Sequence, residues 1–408
     1  MPAVTALSMI TPLAETMEKS WSLLCDGVSA TRTITRFCTQ SLPVTVAATV
    51  DFYDPEIQLR PPLLTAHLAL DAAEGAMNEA GLSSEEKREL AIVIASSPLE
   101  PTMSDRLRLL ADLPLDELDL SGLQRDPYRS FACFDNGIVT RAMVRRYGLT
   151  KPPVTVNTAC ASGATAIALA LDALRFGHAE QVLVVAANGA VDAETVIRFA
   201  LLQTLSRRND VPLGASRPFS KHRDGFVLGE GAAALMLETP EHARARGAAI
   251  LGHVLGYGEA GDGFHRTRTH PSGAPIVRCM QKAIADAGLT PDEIDYVNAH
   301  GTSTVENDRI EYLALKEVFG SRLPHLPVSS IKSSIGHALS AAGAIEAVAS
   351  LLAIRDELVP PTINYDVPDP EIMLDVVPER ARRHPMRHVL SNSFGFGGQN
   401  VSIVLGAA

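Results

Sequence analysis

The stretch NTACASGATAIALAL, residues Asn157–Leu171, sets a single thiol among small residues just before a helical run of Ala, Ile and Leu. Upstream, PPVTVN (152–157) predicts a strand; downstream, SGATAIALALDALRFG (162–177) predicts a helix whose last turn ends at Gly177. Strand, tight turn and helix in succession are the unit of an α/β protein, and the turn falls on Cys160. A side chain there is exposed, while backbone N–H groups and the positive helix end aim at it, so the spacing predicts a lowered thiol pKa. The same small neighbours suit a buried cysteine that acts only as a small hydrophobe. By itself the segment leaves both readings open.

The rest of the chain has the same alternation. LLTAHLALDAAEGAMNEAGL (63–82) reads as a helix ending at a glycine, and EQVLVVAANGA (180–190) and AAALMLE (232–238) read as buried strands, which together predict covered sheets. A polar stretch near residue 245, followed by a new strand, divides the chain into halves 1–245 and 246–408. No Ser/Gly linker separates them, so the halves should pack as one body. The charged, Leu-rich segment 100–130 reads as a surface helical insertion.

Composition narrows the function classes. A chain of 408 residues with 46% hydrophobic content can bury a large core, and a net charge of -11 argues against a general nucleic-acid surface. The five cysteines (25, 38, 133, 160 and 279) form no CxxC pair and no His/Cys ligand pattern, so neither a disulfide framework nor a metal site is expected. The first residues lack a basic leader before a long apolar stretch, and no uncharged run reaches the ~20 residues that span a bilayer. These features predict a cytoplasmic protein without a membrane segment.

Three further segments carry chemistry. EIDYVNAHGTSTVENDRIE (293–311) places His300, Thr302, Thr304, Asp308 and Glu311 around a turn that follows a strand. Its small residues permit close approach of an extended ligand, and its hydroxyls suit a polar amide chain. In PVSSIKSSIGHALSAAGAIEAVASLLAIRD (327–356), Lys332 and His337 precede a helix rich in Ala and Gly. Glu346 has so apolar a set of neighbours that a buried, partnered carboxylate is expected, with Lys332 as its candidate partner. SNSFGFGGQNVSIVLG (391–406) has too many glycines around Phe394 and Phe396 for a plain strand. It suits either a tight loop offering N–H groups to an oxyanion or a structural bulge.

Taken in order, TACASG, NAHGTST, IKSSIGH…AAGAIE and NSFGFGGQN resemble the β-ketoacyl-acyl-carrier-protein synthases, the elongating condensing enzymes of the thiolase superfamily. LSRRND, ASRPFSKHRDGFVLGEGAAALMLE and VPPTINYDVPDP extend the likeness from about residue 150 to the end. The resemblance implies a five-layered αβαβα fold of two similar halves. It further implies a homodimer with an acyl tunnel reaching toward the interface, or a heterodimer with a related ketosynthase. Position by position, it makes Cys160 the nucleophile and has His300 and His337 bind the thioester carbonyl during decarboxylation. Lys332 and Glu346 become the charged support, with Asp308 and Glu311 also retained. The backbone N–H groups of Cys160 and Phe396 become the oxyanion hole, Thr302 and Thr304 the pantetheine contacts, and Phe396 an acyl gate opposite the loop GDGFHRTRTHPSG. The implied partner is an acyl carrier protein, and the substrates are malonyl and acyl thioesters. No cofactor is implied beyond the carrier's own phosphopantetheine, and at most a structural monovalent cation without an assigned position.

The sequence also departs from the family pattern. Val305 stands where a proline usually follows HGTST, and the first third lacks several signatures that shape the dimer contact and acyl tunnel. Chain length and partner are therefore where this protein should differ. A non-catalytic chain-length factor would lack the cysteine, and a degradative thiolase would need a second one near the C-terminus. An initiating synthase would replace the second histidine by asparagine. The pattern accordingly favours decarboxylative condensation in fatty-acid-type elongation, with a polyketide, polyene or specialised long-chain pathway as the alternative.

Overall fold

The computed structural model describes residues 1–97 and 137–408; the segment 100–130, read above as a helical insertion, and Cys133 lie outside the described residues. Strands β1 (Ala3–Ile10), β2 (Ala91–Ser96), β3 (Val154–Val156), β4 (Gln181–Asn188) and β5 (Gly231–Glu238) are arranged β1-β5-β4-β2-β3. Pairing is antiparallel from β1 to β5 to β4 and parallel from β4 to β2 to β3. Strands β6 (Gly252–Gly261), β7 (Tyr296–Asn298), β8 (Pro327–Ser329), β10 (His388–Gly395) and β11 (Gln399–Gly406) repeat this as β6-β11-β10-β7-β8, with the same directions in the same places. β9 (Asp375–Val376) adds a parallel edge, and β1 touches β6 at only two residue pairs. The two similar halves expected from the resemblance are thus present in the strand order itself.

Alternation along each strand sorts the side chains into layers, because neighbouring residues of a strand point to opposite faces. Val182, Val184 and Ala186 of β4 join a core that contains helices α3 (Ser162–Arg175) and α6 (Ala342–Asp356) together with Val401, Ile403 and Leu405 of β11. Leu183, Val185 and Ala187 face α1 (Pro61–Glu79) and α2 (Gly137–Tyr147) instead. On the second sheet, Val297, Val328 and Val404 pack against α4 (Ala274–Asp286) and α5 (Val305–Phe319). Helix, sheet, helix, sheet, helix: the order is the five-layered αβαβα arrangement.

The central helices approach closely because their sequences are small where they meet. A Cβ on Gly163 would lie 2.6 Å from the Ala344 nitrogen, and one on Gly343 would lie 2.8 Å from the Ala164 nitrogen. Backbone atoms cannot yield as side-chain tips do, so both positions require glycine. Gly163→Ala should cost about 3 kcal/mol of stability, read as a lowered urea midpoint. An unchanged midpoint would mean that the helices can separate at no cost.

Candidate active site

β3 runs out at Val156, and the chain must turn sharply to enter α3. Ala159 takes φ 49, a left-handed conformation that costs a non-glycine residue energy and persists only when its surroundings hold it. Ser162 does much of that holding: its Oγ donates to Ala159 O (2.6 Å) and accepts from Thr158 N–H (2.9 Å). Asn157 Oδ1 accepts from Ala159 N–H at 3.1 Å. Cys160 therefore sits in a braced turn, Ala159–Ala161, at the N-terminus of a 14-residue helix. The second half repeats the device. Leu339 takes φ 45 in the turn Leu339–Ala341 before α6, and Ser340 stands where the first half has Cys160. Its hydroxyl is spent on structure, donating to Ala187 O and accepting from Ser97 N–H.

The second half instead brings two histidines to the thiol. Cys160, His300 and His337 line one cavity of 490 Å³, together with Thr302, Thr304 and Phe396. The His300 and His337 ring centroids are 5.4 Å apart, edge to face. Leu339 N–H donates to His337 Nδ1 at 3.3 Å, which leaves the proton of the neutral ring on Nε2. Burial depresses both histidines well below their ordinary value, and the Lys332 cation depresses them further. Both are neutral at neutral pH, and each has one ring N–H to donate.

Lys332, Glu346, Asp308 and Glu311 do not line this cavity but buttress it from behind. Lys332 Nζ and a Glu346 carboxylate oxygen form a buried ion pair, in which burial raises the Glu346 pKa and Lys332 opposes the rise. Glu311 accepts the N–H groups of both His300 and Gly301 at 2.8 Å, which fixes the turn that presents the imidazole. Asp308 accepts Phe219 N–H at 2.8 Å and faces Arg223, tying the segment before β5 to α5. Burial raises both carboxylates against these contacts.

Glu346 Oε2 and Asn298 Oδ1 are buried without a partner among the described residues. Asn298 Nδ2 donates to Glu346 O and Ser350 Oγ, so the two residues are neighbours whose remaining atoms are acceptors only. An amide and a carboxylate oxygen fit a hard monovalent cation. Among the described residues no cluster of three or more His, Cys, Asp or Glu side chains is suited to a metal ion.

The glycine-rich segment is a hairpin turn joining β10 to β11. Gly397 and Gly398 have φ 87 and 79, and a Cβ on Gly398 would fall 1.7 Å from Asp262 O. That turn lays the Phe396 ring 6.5 Å from Phe199 and brings the Phe396 N–H to the Cys160 sulfur, where it acts with the N–H of Cys160 itself. Thr302 and Thr304 hydroxyls bond to each other at 2.8 Å.

The expected lowering of the thiol pKa is not met. Burial pushes Cys160 up to about 11, although the Phe396 N–H and Lys332 pull the other way. At 8% exposure the thiolate loses more hydration than the turn returns, so the resting group is a thiol. Alkylation of Cys160 by iodoacetamide should accelerate about tenfold per pH unit between about pH 7 and 9, followed by intact mass. A rate already level at neutral pH would indicate a resting thiolate.

Family models agree with this geometry over most of the chain: Beta-ketoacyl synthase, N-terminal domain matches residues 3–243, and Beta-ketoacyl synthase, C-terminal domain matches 251–366. The chain belongs to the β-ketoacyl synthase family. A 3-oxoacyl-[acyl-carrier-protein] synthase 2 of Coxiella burnetii is 38% identical, covering 98% of this β-ketoacyl synthase and 97% of the relative. A putative polyketide beta-ketoacyl synthase 1 of Streptomyces cyaneus is also 38% identical, over 99% and 97%. Among solved structures, a type II PKS acyl-carrier protein in complex with its ketosynthase bound to the hexaketide aligns with TM-score 0.86 at 30% identity, over 100% of this chain and 99% of that one. The ishigamide ketosynthase/chain length factor aligns with TM-score 0.86 at 33% identity, over 100% and 99%.

Several residues of this β-ketoacyl synthase site escape sequence reasoning. Phe199 and Phe226 line the cavity, and the Phe226 ring lies edge-on 5.4 Å from His337. Phe199 stands outside every quoted segment, and Phe226, within the quoted ASRPFSKHRDGFVLGEGAAALMLE, has no role assigned there. Asn392, which donates to Glu311 at 3.2 Å, lies within the quoted glycine-rich segment, where a buried polar residue between apolar strand positions was the available signal.

Proposed function

We propose that this protein catalyses decarboxylative Claisen condensation of malonyl-acyl-carrier-protein with an acyl group held on Cys160, giving a 3-oxoacyl-carrier in fatty-acid-type elongation. The observation that carries the reading is the convergence of Cys160, His300, His337 and the Phe396 N–H on one cavity. Residues 1–245 supply the nucleophile and 246–408 both histidines.

In the first half-reaction, Cys160 Sγ bonds to the acyl carbon, the bond to the arm sulfur breaks, and the thiol proton passes to the departing arm. A thiol of raised pKa needs an acceptor for that proton, and a neutral histidine in the same cavity can relay it. The N–H groups of Cys160 and Phe396 receive the oxyanion of the tetrahedral intermediate. Malonyl-carrier then enters with its thioester oxygen against the N–H groups of His300 and His337. Its carboxylate leaves as carbon dioxide and the electron pair passes to an enolate. Neutral donors suit this step, because a cationic histidine would hold the carboxylate and oppose its loss. The enolate carbon attacks the acyl-enzyme, the bond to Sγ breaks, and Sγ takes up a proton from water, which replaces the one that left with the first arm. Burial, reinforced by Lys332, keeps the histidines neutral, Thr302 and Thr304 receive the arm's amides, and the Phe396 ring gates the acyl side. Asn298 and Glu346 would hold the structural monovalent cation.

A homodimer, or a heterodimer with a related ketosynthase, is part of the same reading. Support comes from the edge strand β3, where Val154 is 52% exposed, and from exposed Leu169 on α3 and Phe176 at its C-terminal cap. No described helix is long and apolar enough to cross a membrane, and the four described cysteines are free, which supports a cytoplasmic setting.

A polyketide pathway is the second reading, favoured by the polyketide relative at equal identity and by the ketosynthase/chain length factor neighbour. Product analysis with malonyl-carrier and acyl-carriers of graded length decides between them. One two-carbon extension per saturated primer supports elongation. Repeated extension of unreduced 3-oxo products supports the polyketide reading, and no 3-oxo product with any primer removes both.

A further inference from the structure

The outer end of the cavity carries a charged pair that the chemistry at Cys160 does not use. Arg268 and Glu306 line the same cavity as Cys160, with Arg268 Nε 3.2 Å from Glu306 Oε2. The Arg268 side chain is 63% exposed, which puts the pair at the mouth while buried Cys160 lies at the floor. Thr302 and Thr304 line the cavity as well, and Thr304 caps the helix whose first turn carries Glu306. Among the described lining residues, Arg268 has the only guanidinium or ammonium group.

An exposed pair of this kind contributes little to stability, because solvent screens it and two long side chains must be ordered. The backbone beneath it is nevertheless held firmly. The Asp262 carboxylate accepts the N–H groups of Phe264 (3.0 Å) and His270 (2.7 Å), closing the loop on which Arg268 stands. Asp262 N–H donates to Gly398 O, and Gly397 N–H donates to Arg266 O, so the loop rests on the hairpin turn beside Cys160. The pair engages Nε of the guanidinium, and neither terminal amino group has a bond among the described residues. A cation is thus presented at a set position with donors to spare.

We propose that Arg268 binds the phosphate of the phosphopantetheine arm, and that Glu306 holds the guanidinium at the mouth until the phosphate displaces it. The inference rests on the condensing-enzyme reading, in which a thioester-bearing arm enters this cavity. With the thioester at Cys160 and the amides passing Thr302 and Thr304, the phosphate is left at the mouth. There the guanidinium fork matches its oxygens. Glu306 sets a threshold that an uncharged arm end cannot meet, so the pair selects phosphorylated thioesters over unphosphorylated ones.

Acylation of Cys160 by octanoyl-phosphopantetheine and by octanoyl-pantetheine, followed by intact mass, tests this. In Arg268→Gln the ratio of second-order rates, phosphorylated over unphosphorylated, should fall about tenfold. In Glu306→Gln the ratio should rise. An unchanged ratio in Arg268→Gln, or an equal loss with both donors, overturns the proposal, since a merely structural arginine would slow both alike. A loss confined to octanoyl-carrier, with both small donors unaffected, would assign Arg268 to the carrier's protein surface and overturn it too. If the unsubstituted protein is acylated by no donor, carrier included, the condensing-enzyme reading fails and the inference with it.

Discussion

Cys160→Ala abolishes the acyl-enzyme and with it condensation, a loss of about a million-fold in turnover if the covalent route is the only productive one. The size of the effect follows from the site's construction. Among the described residues Cys160 is the one thiol lining the cavity, since the other described cysteines, 25, 38 and 279, do not line it. Ser340, which occupies the matching turn of the second half, cannot substitute, because its hydroxyl is bonded to Ala187 O and Ser97 N–H. Measuring carrier-dependent mass gain separates this loss from unfolding: the variant should retain the unsubstituted protein's urea midpoint. Persistence of an acyl adduct would move the nucleophile elsewhere.

Removing either histidine should divide the reaction differently. His300→Ala or His337→Ala should lower the decarboxylative step by about a hundred- to a thousand-fold, because each ring N–H is a donor to the developing enolate oxygen. Acyl loading should fall less, since its oxyanion is held by the N–H groups of Cys160 and Phe396. Single-turnover assays resolve the two steps, with acyl-enzyme mass for the first and carbon dioxide release for the second. His337 is the sharper case, because Leu339 N–H fixes its tautomer with Nε2–H as the donor. A variant that loads slowly but decarboxylates normally would reverse the assignment.

Much of this site was legible from four short segments, because their chemistry depends on residue types that composition and pattern expose. A cysteine, two histidines, a lysine and a run of glycines each mark a position. The α/β layering was legible too, since strands such as Gln181–Asn188 and small-residue helices such as Ser162–Arg175 announce burial on both sides. The thiol's raised pKa was not, because a helix end can be read from sequence while the burial that outweighs it is a property of the assembled layers. The repeated turn also lay hidden. ACASG and LSAAG share little but small size and a glycine, yet both put a residue in left-handed φ before a central helix. Phe199 reaches the cavity from outside every quoted segment, through tertiary packing alone, and Phe226 lies in a quoted segment whose sequence does not show which side chain enters the site.

The central claim is that Cys160 holds an acyl group which the malonyl unit then removes as a longer chain. Intact mass of the protein after mixing with acyl-carrier, and again after adding malonyl-carrier, tests it most directly. The account predicts a mass gain equal to one acyl group, mapped to the peptide containing Cys160, and its disappearance as carbon dioxide and 3-oxoacyl-carrier form together. An adduct that malonyl-carrier leaves in place, or carbon dioxide released without the 3-oxo product, would contradict it.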